Sequence, residues 1–183
     1  MSEKNGEILL PIARAAISRA LNVPSEADES APWLTEPGAC FVTLTQQGEL
    51  RGCIGTLEAR RSLLDDVKSN AVSAALHDPR FAPLTAPELY TTKILVSLLS
   101  PTEEMHVRDE ADALAQMRPN IDGIVFEYGR FRSTFLPQVW ENLPQPRDFL
   151  AMLRRKAGLP DDFWAEGIKL SRYTVTKWSE QSS

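Results

Sequence analysis

Hydrophobic positions at the start of the chain recur at helical spacing. Ile8, Leu9, Ile12, Ala16, Ile17 and Leu21 fall on one face and predict an amphipathic helix over roughly Gly6–Leu21. Pro11 fits that helix only near its first turn or at a kink. Residues 22–37 are rich in proline, serine and acids and read as a loop, with Trp33 and Leu34 as its apolar anchors. The period then changes. "ACFVTLTQQGELRGCIG" alternates as a β-hairpin turning at Gln47-Gly48, a register that sets Gln46 opposite Glu49 and Val42 opposite Cys53. "RRSLLDDVKSNAVSAALHDP" is the strongest helical stretch, with Leu63, Leu64, Val67, Ala71, Ala74 and Ala75 on its buried face. Ser62 caps its start with Asp65 as a short capping-box partner, Asp66 suits the macrodipole, and Pro79 stops it.

"TTKILVSLLSP" leaves little room for an exposed face and predicts a central strand. "RDEADALAQM" reads as a short helix. "DGIVFEYGRFRSTFLP" reads as a second hairpin with a type II′ turn at Gly129-Arg130, opposing Glu127 to Arg132. "PQVWENL" and "PRDFLAMLRRKAG" follow as helices and "GIKLSRYTVTKW" as one final strand. Hairpins mixed with separate helices predict an α+β protein with antiparallel sheets and flanking helices.

Composition narrows the function classes. The 183 residues are 43% hydrophobic and 25% charged, which is ordinary for a globular fold. A formal charge of −5 and the lack of an aromatic-basic motif argue against broad nucleic-acid binding. No apolar run reaches the length of a membrane helix, and the opening stretch has neither an apolar h-region nor a cleavage site, so a cytoplasmic protein is expected. The two cysteines, Cys40 and Cys53, become diagonal neighbours on one face of the first hairpin, too far apart for a disulfide. Without a nearby histidine pair they also make a poor zinc site, so two free thiols and no metal are expected.

"ELRGCIGTLE" concentrates the candidate chemistry. Alternation sends Arg51 and Cys53 to one face, with Val42 and Leu44 beside them, and Gly52 and Gly55 permit close approach of another element or a ligand. Cys53 is either a small buried residue among packing glycines or a thiol near the positive charge of Arg51, suited to ligand contact or nucleophilic attack. His77, Asp78 and Arg80 in "HDPRF" end the strong helix and can fold back toward the hairpin as ligand contacts, although a helix-terminal histidine is also a simple dipole partner. Arg132 and Thr134 share a face of the second hairpin, where Arg132 has its cross-strand pairing with Glu127 as the plainer role.

Taken in order, "ELRGCIGTLE", "DPRFAPLT", "DGIVFEYG", "TFLPQVW" and "LRRKAGLP" resemble the AMMECR domain family, which includes protein A of the AmmeMemoRadiSam system. The likeness runs from about Gly38 to Tyr173, and Leu50–Gly55 reproduces the LRGCIG hallmark without substitution. It implies a single domain of a larger and a smaller lobe, with the hallmark lining a cleft between them. It also implies Memo-type and radical S-adenosylmethionine proteins as partners, without implying a cofactor or a reaction. "EYGR" departs from the family's usual EYGG, which bears on the turn.

Two classes of function follow. A small-molecule-binding or catalytic component would use Arg51 to orient an anionic group and Cys53 as nucleophile or acceptor. A non-catalytic interaction module would hold a partner segment at the same residues. RNA binding ranks below both.

Overall fold

The structure, a computed structural model, describes residues 4–181. The chain divides into two compact units, one running to Leu99 and regaining the chain from Thr176, the other Ser100–Val175.

The first unit opens with helix α1 (Lys4–Ala20), which places Leu9, Ile12, Ala13, Ala16 and Ile17 in the core. Pro11 stands past the first turn, where it removes the hydrogen bond to the Glu7 carbonyl, and it lies on the exposed face. In the following loop a 3₁₀ turn at Pro32–Thr35 buries Leu34, while Trp33 packs partly against the same core. Strands β1 (Pro37–Gln46) and β2 (Glu49–Gly55) form the expected hairpin, and Gln47 and Gly48 both have the positive φ of a type I′ turn. The short β3 (Arg61–Ser62), which the sequence pattern does not signal, pairs with the start of β1.

Helix α2 (Leu63–Leu76) starts where expected, with the Asp65 N–H donating to Ser62 Oγ at 3.1 Å. Strand β4 (Lys93–Leu99) is internal, as its apolar run predicts. The sheet order is β2-β1-β4-β9, where β9 is Val175–Ser179. Cys40, Val42 and Leu44 of β1 join Ile94, Val96 and Leu98 of β4 in the core with α1 and α2.

In the second unit, β5 (Glu103–Met105), β6 (Gly123–Tyr128), β7 (Phe131–Phe135) and β8 (Lys169–Tyr173) form a sheet in the order β5-β8-β6-β7. Every pairing within it is antiparallel. Helices α3 (Glu110–Gln116) and α4 (Pro146–Ala157) accompany it, and Gly158 ends α4 in the left-handed conformation. Trp140 stacks on Phe149 with ring centroids 3.9 Å apart at the heart of this second core. "PQVWENL" forms only a 3₁₀ turn, Pro137–Glu141.

Two further expectations fail. "GIKLSRYTVTKW" is not one strand: it breaks at Thr174, so β8 belongs to the second sheet and β9 to the first. At the break, Thr174 and Ser100 hold each other through two hydrogen bonds of 2.8 Å. The register of the first hairpin also differs. A β-bulge between Leu44 and Thr45 leaves Arg51 as the extra residue, so Thr43, not Val42, lies opposite Cys53. Cys53 therefore shares the Thr43 face, while Cys40, Val42 and Leu44 face the core. The two cysteines lie on opposite faces, and both are free thiols.

Candidate functional site

The bulge reshapes the hallmark. Gly52 lies opposite Leu44, on the side that α2 covers, where an added Cβ would overlap the Ala74 carbonyl oxygen. Gly55 lies opposite Phe41, whose ring occupies the space a side chain would need. Both glycines thus permit close approach, and in each case the neighbour is an element of the same unit.

The end of α2 then folds back onto β2. The His77 N–H donates to the Ser73 carbonyl and caps the helix, leaving the residue exposed. The Leu84 N–H reaches the Ala75 carbonyl at 2.8 Å, closing the loop. Within it, Asp78 accepts from the Cys53 N–H at 3.0 Å, the Arg80 N–H at 3.1 Å, and the Arg80 guanidinium at 3.0 and 2.7 Å. Arg80 Nη2 also donates to the Cys53 carbonyl at 3.3 Å. Since β2 ends the strand order, Cys53 would otherwise present both backbone groups to an open sheet edge; one carboxylate and one guanidinium take the place of a neighbouring strand. Only 2% of the Asp78 side chain is exposed, and the Arg80 guanidinium holds its carboxyl well below the usual carboxylate range, helped by the two N–H donors.

Arg51 takes a different partner. Its Nε and Nη2 donate to Glu88 at 3.1 and 3.4 Å, and Gln46 donates to the same carboxylate at 2.9 Å. Glu88 closes a 3₁₀ turn, Ala86–Tyr90, by accepting from the Thr85 N–H at 3.1 Å. The Arg51 guanidinium carbon lies 6.0 Å from the Phe81 ring centroid and that of Arg80 lies 5.4 Å from it, so one aromatic ring lies within reach of two cations. The Arg51 side chain is 14% exposed, and its Nη1 is buried without a hydrogen-bond acceptor among the described residues. Nearby on the strand, the half-buried Cys53 places its Sγ 3.2 Å from Thr43 Oγ1.

The expectation that Arg51 and Cys53 share a face with Val42 and Leu44 is corrected by this geometry. Cys53 lies with Thr43, and the bulged Arg51 leaves the alternation to join Gln46 on Glu88. Arg51, Cys53, Asp78 and Arg80 gather in the first unit, with His77 beside them in sequence. Arg132 and Thr134 belong to the second unit. There Arg132 donates to Glu127 at 2.9 Å across the hairpin, and the Thr134 hydroxyl lies 3.1 Å from that of Tyr173. Sequence reasoning missed Glu88, although "TAPE" has the spacing of a capping box and marks that acid as fixed at a turn.

The Arg51 guanidinium and the Gln46 amide lower the Glu88 pKa from the ordinary 4.5 to about 2. A carboxyl depressed in the folded state contributes stability that is fully present above pH 4.5 and is lost as pH falls through about 2. Glu88→Gln therefore flattens the decline in stability across that acid window and leaves its pH dependence above the window unchanged, as urea melts at stepped pH will show.

The strand that carries "LRGCIG" is held at its edge by a buried aspartate and packs against a helix, in a chain of two compact α+β units. The AMMECR1 family profile matches residues 10–178, and the chain belongs to that family. Protein MJ0810 of Methanocaldococcus jannaschii is 37% identical over 186 residues, spanning 97% of this chain and 90% of its own. A protein of Methanothermobacter thermautotrophicus is 37% identical over 192 residues, spanning 98% and 96%. The crystal structure of the uncharacterized protein PH0010 from Pyrococcus horikoshii superposes with a TM-score of 0.78 at 30% identity, covering 99% of this chain and 94% of that one.

Proposed function

We propose that this AMMECR1-family chain is a small-molecule-binding component that holds an anionic group on Arg51 next to Cys53. The supporting observation is the Arg51 Nη1 group, buried and without an acceptor among the described residues although Glu88 already engages the other two nitrogens. A buried donor left unpaired costs roughly 1–3 kcal/mol, and a carboxylate or phosphate oxygen of a ligand would satisfy it with a charge-assisted bond. Cys53 would then supply a contact or a nucleophile, while Asp78 and Arg80, already committed to the Cys53 backbone, position the strand. In this reading the chain acts together with Memo-type and radical S-adenosylmethionine proteins, and co-elution with those proteins from the same source tests that part.

The binding part is tested by untargeted metabolite capture on purified protein. Wild type is expected to enrich an anionic metabolite. Arg51→Ala loses the enrichment by roughly tenfold or more, the loss of one charged hydrogen bond. Arg51→Lys recovers it only in part, because an ammonium lacks the planar fork. Glu88→Gln, which disturbs the same turn without removing the donor, keeps it. Equal capture by wild type and Arg51→Ala would leave the non-catalytic interaction module as the better reading.

A further inference from the structure

We propose that the second unit carries a docking groove for a basic, amphipathic peptide segment of a partner protein, between α3 and α4. The two helices and the Asp161–Trp164 turn line an open groove of about 760 Å³. Its apolar lining includes Leu114, Ala151 and Trp164, all partly exposed, and Trp164 and Leu114 continue outward from the unit's buried core. That is enough apolar surface for one or two aliphatic side chains.

Charge selects the occupant. Five carboxylates line the groove, Asp109, Glu110, Asp148, Asp161 and Asp162, against two guanidiniums, Arg147 and Arg154. Two of the acids are spoken for within the unit: Glu110 accepts from Arg154 at 3.0 Å, and Asp161 takes Arg155 at 2.9 and 2.6 Å. Asp109 caps α3 through the Asp112 N–H at 2.8 Å. Asp148 and Asp162 stand exposed on the rim, so the potential over the groove is negative and draws lysine or arginine side chains.

A second observation separates a peptide from a small amine. Arg154 is only 2% exposed and lines the groove, and its Nε is buried without an acceptor among the described residues. A cationic metabolite offers ammonium donors but no acceptor for that N–H. A peptide offers both, basic side chains for the rim and a backbone carbonyl for Arg154. A free anion would satisfy Arg154 but meet the acidic rim. The combination of apolar lining, acidic rim and orphan donor fits a basic peptide segment best.

The test uses the full chain and a labelled amphipathic peptide of lysine and leucine at helical spacing, followed by fluorescence anisotropy. Wild type is expected to bind it with an affinity that falls as salt rises. The double variant Asp148→Asn/Asp162→Asn, both sites exposed, weakens binding by roughly tenfold or more, while Arg147→Gln binds as tightly as wild type or tighter. Thermal melts confirm that each variant is folded. Spermidine should compete poorly. The proposal is overturned if the double variant binds like wild type, which would mean attraction to the acidic protein as a whole. It is equally overturned if spermidine displaces the peptide at comparable concentration, which would make this a small-cation site.

Discussion

Asp66→Ala will cost the protein about 3 kcal/mol, because buried neutral donors lose the one carboxylate they share. Asp66 lies in the first turn of α2 and is 1% exposed. Its carboxylate accepts from the Cys40 N–H at 2.8 Å, the Thr56 hydroxyl at 2.7 Å, Arg61 Nε at 2.8 Å and Asn70 Nδ2 at 3.1 Å. Asn70 extends the cluster by donating to the Cys40 carbonyl at 2.9 Å. One carboxylate thereby ties α2 to β1, to β3 and to the residue that follows β2. Alanine would leave the Cys40 N–H buried and unpaired and Arg61 without its counter-charge. Asp66→Asn keeps the volume and part of the hydrogen bonding and should cost less. Set against a total of roughly 5–15 kcal/mol for a domain, the alanine effect is large. It should appear in urea unfolding as a fall in midpoint with an unchanged slope; a shift of only a few tenths of a kcal/mol would show that water replaces the carboxylate readily.

The second large effect is expected at the hallmark glycines, and it should be unequal. A methyl group at Gly52 meets the Ala74 carbonyl oxygen, which is helix backbone and cannot yield without moving α2. Gly52→Ala should therefore reach the upper end of overpacking costs, about 3 kcal/mol. At Gly55 the obstacle is the root of the Phe41 ring, so the half-buried side chain must swing about χ1 to make room, and Gly55→Ala should cost less than Gly52→Ala, about 2 kcal/mol. Neither residue is among the positions of positive φ, so backbone strain adds nothing and the difference isolates packing. Thermal melts of the two variants give the order directly, and equal or reversed effects would refute this account. Gly52→Ala would also push β2 away from α2 and carry Arg51 and Cys53 with it, so ligand loss in that variant would report displacement.

Local rules carried much of the fold. The Gln47-Gly48 and Gly129-Arg130 turns, the Ser62 cap, the C-terminal Gly158 and the buried faces of α1 and α2 are each written within a few neighbouring residues. The Glu127–Arg132 pair followed from the second hairpin's turn for the same reason. In the first hairpin the register held from the turn as far as Thr45 and Leu50, then failed at the bulge. A single inserted residue exchanges the faces of everything beyond it, and no pattern in "ELRGCIG" distinguishes a bulged Arg51 from a regular one.

The sequence by itself determined both hairpins, the main helices and the antiparallel character of the sheets, and it left the approach of "HDPRF" to "ELRGCIGTLE" as one of two readings. Only the tertiary structure decided that Cys53 faces Thr43, that "GIKLSRYTVTKW" serves two sheets, and that Arg51 answers to Glu88, 37 residues away. It also revealed Asp66 as a hub, where the sequence showed only an acid well placed at a helix start. The physical reason is the range of the forces involved. Periodicity and capping act between residues a few positions apart, whereas the partner of a buried charge is chosen by the packing of elements remote in sequence.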